Sequence, residues 1–500
     1  MKKGILLLCM AMLCVYLKAQ TLPTGFASTD FIAGATWNSP VGVSFTPDGG
    51  KLFVWEKAGK LFVCNRQSNG SYTRQTTPVI DISGEVGNWH DYGLTGFAFD
   101  PEFAINGFIY LLYVVDRHHL LTDGIASRGY VASTNQYYAA TIGRVTRYKT
   151  QTNAGNLVAI NSSRKILVGE SKSTGLPILH RSHGVGSLAF ANDGTLLITH
   201  GDAASYESID GGTDVNTYYV DALADGIIRD EENVGAFRSQ MLNSHNGKLL
   251  RIDRETGDGI PSNPYYDAQA PRSAKSRVWA LGLRNPFRMS VKPGSGSTLP
   301  QTGDIGEVFI GDVGMGTWEE LNIAKAPGMN FGWPIYEGMT LHPDYSRLTV
   351  VNKDEPNEFG VCGGRSHLRF TELIKQDNAA RNKRIYNPCN AAQIVRDNVR
   401  FLHARPAIDW RHGQDVARVG KFDGAGVATQ PSIGTAESGV TGAGFRGNSS
   451  SGGIWYVGSG TKPFPEEYRN SFILLDYGGR WIKKLKIDYT DVITKVDNFI

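Results

Sequence analysis

Cysteine is scarce in this 500-residue chain, which has five, and two of them, Cys9 and Cys14, lie in the first 20 residues. The other three, Cys64, Cys362 and Cys389, form no CxxC pair and no Cys/His cluster, so a zinc site of the ordinary spacings is excluded. Cys362 and Cys389 share one polar, loop-like region. The sequence is equally compatible with a disulfide between them and with three free thiols, and closing that loop would contribute about 3–4 kcal/mol. Long apolar runs are also missing. The one candidate is Gly4 to Leu17 in MKKGILLLCMAMLCVYLKAQ, preceded by Lys2 and Lys3 and followed by Ala19 and Gln20. It is too short for a membrane span and reads as a secretory signal over residues 1–20. Leu13 stands where a lipoprotein cleavage site wants a small residue. The expectation is an exported chain, 21–500, with no transmembrane segment. An excess of one charge is lacking as well: the formal +3 is matched by the three lysines of the acid-free signal. The remainder is neutral, which excludes nucleic acid and anionic membranes as electrostatic partners. No P-loop, no GxGxxG after a strand and no GxSxG elbow occurs, so nucleotide cofactors and serine hydrolysis have no support.

Long helical patterns are few. Glycine, by contrast, is abundant at 59 residues, and turns rich in it separate short alternating runs. That composition predicts an all-β fold. One unit recurs. PVGVSFTPDGGKLFVWEKAGKLFV (Pro40 to Val63) is a strand, a Pro-Asp-Gly turn and two further strands. GLTGFAFDPEFAINGFIYLLYVV (Gly93 to Val115) repeats the pattern with a longer turn. HRSHGVGSLAFANDGTLLITHGD (His180 to Asp202) is a third copy, and Val278 to Gly314 reads as a fourth. Strands of a later unit run from Ser451 to Asp488. In each, alternation predicts one face packed on a neighbouring sheet. Repeated small antiparallel sheets predict a β-propeller. No linker divides the chain, so one domain over 21–500 is expected. Long insertions near 201–240 and 338–426 interrupt it, and loops of that length on a rigid scaffold often carry function.

Three stretches can carry chemistry. His183 precedes Gly184 and Gly186 at the entrance of a strand, where a neutral imidazole suits general-base work. An isolated histidine is nonetheless more often structural. In GLRNPFR, Arg284 and Asn285 stand side by side before Pro286 and suit a carboxylate or quinone oxygen. In GDVGMGTWEELNIAKAPGMNFGWPIYEG, Gly314 and Gly316 let backbone carbonyls approach a cation, and Glu319 and Glu320 offer hard oxygens of the kind calcium prefers.

SHGVGSLAFANDGTLLITHGD, LNSHNGKLLRID, VWALGLRNPFR, GDVGMGTWEELN and MNFGWPIYEG together resemble, in order, motifs of the glucose/sorbosone dehydrogenase family. The resemblance covers about Pro40 to Asp488. It implies a six-bladed propeller that uses pyrroloquinoline quinone (PQQ) and calcium to oxidise an aldose sugar or similar alcohol, with electrons passing to an external acceptor. His183 would be the general base. Arg284 and Asn285 would contact PQQ, with Arg284 polarising the carbonyl that receives hydride. Main-chain carbonyls of Gly314 and Met315 would hold the calcium beneath PQQ. Glu320 and the main chain of Phe331 would serve a structural calcium site. The chain departs from the family in four places. Met315 replaces a proline, and Ser182 replaces an aspartate before the histidine. The PQQ lysine is missing from LLDYGGRWIKKLKID, where Arg480 is the nearest cation. The chain stops at ITKVDNFI, so a truncated protein with an incomplete last blade is expected. The alternative class is a non-catalytic propeller binding carbohydrate or protein at the cell surface.

Overall fold

The computed structural model describes residues 22–32, 34–458 and 463–499; the expected signal, 1–20, lies outside them. Five antiparallel sheets follow one another along the chain. The first contains Pro40–Phe45, Lys51–Glu56, Lys60–Arg66 and Tyr72–Arg74. The second has Leu94–Phe99, Phe108–Val114, Thr141–Asn153 and Leu176–Ile178, with Asn156–Val168 also paired to its third strand. Val185–Phe190, Leu196–His200, Lys248–Ile252 and Val278–Leu281 make the third. The fourth comprises Pro286–Val291, Val308–Asp312, Trp318–Ala324 and Ile408–Arg411, extended by Ala417–Arg418. Ser450–Tyr456, Ser471–Asp476, Trp481–Ile487 and Ile493–Asn498 form the fifth.

The propeller arrangement therefore holds, but with five blades, not the expected six. The last sheet has four strands, so the expected partial blade is also corrected. Between the third and fourth strands of the fourth sheet, residues 325–407 lie partly along the outer edge of the third sheet, where Asn330 bridges Leu281 and His403, and partly in two-stranded ribbons such as Val351–Pro356 with His367–Arg369 and Arg384–Asn387 with Asn390–Asp397. The fourth sequence unit is re-divided as well. VWAL is the outer strand of the third sheet, and PFRMSV is the inner strand of the fourth.

The strands bury both faces, not one. Tyr110 and Leu112 join the cluster shared with the third sheet, whereas Ile109 and Leu111 join the cluster shared with the first. Ile198 and Leu250 face the second sheet, and Leu197 and Leu249 face the fourth. A strand buried on both faces reads as a continuous apolar run, which explains FIYLLYV and LLITH. Gly186 permits one close approach, because a Cβ there would lie 2.2 Å from the Pro286 carbonyl oxygen of the next inner strand. The amino-terminal segment links the ends of the series. Phe26 packs on Phe464, Tyr468 and Phe499 beside the fifth sheet, while Phe31 and Trp37 pack on Tyr72 and Phe62 of the first. Cys362 and Cys389 are bonded, with Cα atoms 5.8 Å apart, and Cys64 is free and buried.

Candidate active site

An antiparallel sheet traversed from inner to outer strand puts three connections at the same end: the entry to the first strand, the second-to-third turn and the exit from the fourth. His183, Arg284, Asn285, Gly314, Met315 and Arg480 all lie in connections of that class.

His183 enters the third sheet with φ 54°, a left-handed conformation that a non-glycine residue holds only where its surroundings impose it. It is 4% exposed. Its Nδ1 lies 2.9 Å from Asp202 Oδ1. Asp202 is fully buried and its other bonds are filled: Oδ1 also accepts from the Ala204 N–H at 2.9 Å, and Oδ2 accepts from Trp333 Nε1 at 2.7 Å. The carboxylate thus places the ring proton on Nδ1 and leaves Nε2 as the acceptor. Burial, helped by the Arg284 charge, pushes the His183 pKa below the usual value against the opposing pull of Asp202. Burial works to raise the Asp202 carboxyl, but His183 and then Arg284 outweigh it and hold it below the ordinary range. The arrangement is a neutral imidazole backed by an ionised carboxylate.

The backbone joins this pair to Arg284. The Asp202 N–H donates to the Arg284 carbonyl at 2.8 Å, and the Ala203 N–H to the His183 carbonyl at 3.2 Å. Gly201 makes the approach possible, since a Cβ there would sit 2.4 Å from the His183 oxygen. The Arg284 and Asn285 N–H groups both donate to Asp312, at 2.9 and 2.7 Å. Burial moves the Asp312 carboxyl up to about 7 even against those two bonds. The Arg284 side chain is 4% exposed and lies over the Trp333 ring at 5.3 Å. Its Nη1 donates to the carbonyls of Val313 at 2.9 Å and Gly314 at 2.8 Å, and its Nε is buried without a partner.

The remaining expected residues fall into two groups. Met315 stays with the site: its N–H, with those of Gly316, Thr317 and Trp318, donates to Glu337 Oε1 at 2.8, 2.9, 2.9 and 3.2 Å. Burial alone would raise Glu337, and these N–H groups hold it down. Glu320, Phe331 and Arg480 keep other company. Glu320 lies between Asp312 and Asp409 across three strands. Its oxygens accept from the Gly338 N–H at 2.6 Å and Asn322 Nδ2 at 2.8 Å, and burial with those two acids pushes its pKa well up. Phe331 is a core residue packed with Trp279 and Ile310. Arg480 lines a depression on the fifth sheet with Leu475, Tyr477 and Ile482. Among the described residues, no group of three His, Cys, Asp or Glu is arranged to hold a metal ion.

Sequence reasoning missed Asp202, Trp333 and Glu337. The last two stood in the quoted MNFGWPIYEG without a role, and Asp202 ends the quoted hairpin. Only the fold shows that the inserted segment returns to the His183 end. His180 was also passed over: its Nδ1 is 2.8 Å from Ser182 Oγ, and burial lowers its pKa to about 4. Ser182 is therefore occupied by a neighbour.

Comparison with known proteins agrees with the motifs. The sequence model described as "Glucose / Sorbosone dehydrogenase" matches residues 37–359. "HIPL2 protein" of Arabidopsis thaliana is 26% identical over 367 residues, covering 67% of this chain and 46% of that protein. The chain spans about half the length of the curated relatives it matches. Among solved structures, "Crystal structure of glucose dehydrogenase" superposes with a TM-score of 0.50 at 16% identity, covering 93% of this chain and 87% of the other. A PQQ-bound aldose sugar dehydrogenase of Streptomyces coelicolor gives 0.46 at 17% identity, covering 93% and 81%. With more than half of its length matched in one block, the chain belongs to the glucose/sorbosone dehydrogenase family.

Proposed function

We propose that this protein is a PQQ-dependent dehydrogenase that oxidises an aldose sugar or similar alcohol, with His183 as the general base. The observation that carries the reading is the His183–Asp202 pair, buried and strained at the end of the ring where Arg284 and Asn285 converge. A quinone fits the neighbouring donors: Arg284 Nε is a buried N–H with no protein partner, and Asn285 stands beside it. When bound, such a quinone supplies the two-electron acceptor chemistry. The protein residues do the rest. His183 Nε2 takes the proton of the substrate hydroxyl, and Asp202 stabilises the imidazolium that forms. Arg284 donates to an oxygen on which negative charge develops. Trp333 Nε1 donates to Asp202 Oδ2 and holds the carboxylate in place. Electrons then pass to an external acceptor. The Cys362–Cys389 bond supports an exported, oxidising setting.

One observation favours the second reading, a non-catalytic carbohydrate-binding propeller. The stretch LLDYGGRW lacks the cofactor lysine, and a Cβ on its Gly478 would lie 1.3 Å from Asn448 Oδ1, so a side chain there requires Asn448 to move. The deciding experiment is a PQQ titration followed by aldose-dependent dye reduction. Reduction that disappears in His183→Ala supports the enzyme. Sugar binding with neither PQQ binding nor dye reduction by any aldose sinks it in favour of the binding module.

A further inference from the structure

We propose that the Arg284 guanidinium, not a divalent ion, is the cation held by the Val313–Gly314 carbonyls, and that this loop keeps its shape without metal. The inference goes beyond the dehydrogenase reading, which specifies no such exchange. The loop is polarised in two directions. Four consecutive N–H groups, from Met315 to Trp318, turn to Glu337. The carbonyls just before them, of Val313 and Gly314, turn to Arg284 Nη1. Carbonyls gathered in this way attract a cation, and the chain already supplies one from its own side chain.

Three further features oppose a divalent ion there. Gly314 O, the expected calcium ligand, is 2.8 Å from a fixed positive charge that would repel the metal. The nearest carboxylate of the loop, Asp312, is engaged by the N–H groups of Arg284 and Asn285. Glu319, a further acid against the loop, accepts from the Gly314 and Ser450 N–H groups on one oxygen and lies 2.6 Å from His412 Nε2 on the other. A calcium site wants six to eight oxygens, several of them anionic. Here Asp312, Glu319 and Glu337 Oε1 already accept from N–H groups of the chain, and the carbonyl end carries a guanidinium. That guanidinium is also anchored: Trp333 lies against it, and its own backbone is tied to Asp202 and Asp312.

The test is amide hydrogen exchange of residues 313–318 in the full chain, in EDTA and in millimolar calcium. In the wild type, exchange at these amides is expected to be the same in both. In Arg284→Ala, exchange in EDTA is expected to rise at least about tenfold, because two charge-assisted bonds are lost. Wild-type amides that open in EDTA and close with calcium would overturn the proposal. That arm needs no variant, so it decides even where Arg284→Ala does not fold. Arg284→Lys, which keeps one charge, gives the second check: its loop should stay indifferent to calcium. Failure of dye reduction with a calcium-indifferent loop would count against the dehydrogenase reading alone. Sugar oxidation with a calcium-dependent loop would count against this one alone.

Discussion

At the scale of single residues, the roles divide by which atoms are already bonded. His183 has Nδ1 committed to Asp202, so its base strength resides at Nε2. Asp202→Asn keeps the shape but offers an amide that can present the wrong group to Nδ1 and removes the counter-charge. We expect kcat to fall by at least about 100-fold, with KM changed little, in dye-coupled assays. Because burial sets the His183 pKa below its usual value, the wild-type rate should hold as pH falls past 6.5 and decline only in more acidic buffer. A decline centred at or above 6.5 would argue against His183 as the base. Glu320 makes the opposite kind of prediction. Its folded pKa is raised, so the folded chain keeps a proton that the unfolded chain releases near 4.5. The stability it contributes is full below that value and is lost as pH rises toward the folded pKa. Glu320→Gln keeps a neutral group of the same shape. It should stabilise the protein at pH 8 and have little effect near pH 4. Thermal unfolding at the two pH values reads this directly.

At the scale of elements, the segment Asn330–Glu337 runs back from the far end of the fourth sheet and supports the site twice, with Trp333 beneath Asp202 and Glu337 beneath Met315. Glu337→Gln replaces a charged acceptor of four N–H groups by a neutral one. The expected cost is about 2 kcal/mol, with protection lost first at the amides of residues 315–318. This support also shows where legibility in the sequence ends. The hairpins at Pro40, Gly93 and His180 were readable because turn residues and period-2 runs are local signals. His183, Arg284 and Asn285 were readable because their motifs stay together along the chain. Trp333 and Glu337 were not assigned, because their contacts are made 131 and about 20 residues away, after a reversal that no local pattern announces. The one-face expectation failed for a related reason. A run such as LLITH does not say whether its second face meets solvent or another sheet, and here both faces meet sheets.

At the scale of the whole molecule, a ring of sheets must deal with its two ends. The expectation of six blades came from the family resemblance; the described residues form five sheets, and the fourth-sheet insertion adds two-stranded ribbons, not a blade. Apolar side chains remain visible on the first and fifth sheets: Val43 is 60% exposed, Phe45 47% and Ile454 62%. The amino-terminal segment covers part of this surface, with Phe26 set edge-on into Phe464, Tyr468 and Phe499 at 4.7, 5.0 and 4.8 Å. The same segment reaches the first sheet through Phe31 and Trp37, so its release would uncover both ends together. Phe26→Ala removes the ring that three aromatics surround, at an expected cost of about 3 kcal/mol to the contact. Because Phe26 and Phe31 lie in a segment outside the strands, that loss should appear as local opening before global unfolding. Binding of a hydrophobic dye should rise at temperatures below the main transition, and protease should cut between Phe26 and Trp37 faster than in the wild type. The candidate site lies in the connections of the third and fourth sheets, so the proposed His183-dependent activity should persist in the variant. Simultaneous loss of activity and of the segment would mean instead that the first and fifth sheets hold the His183 end in shape through this contact.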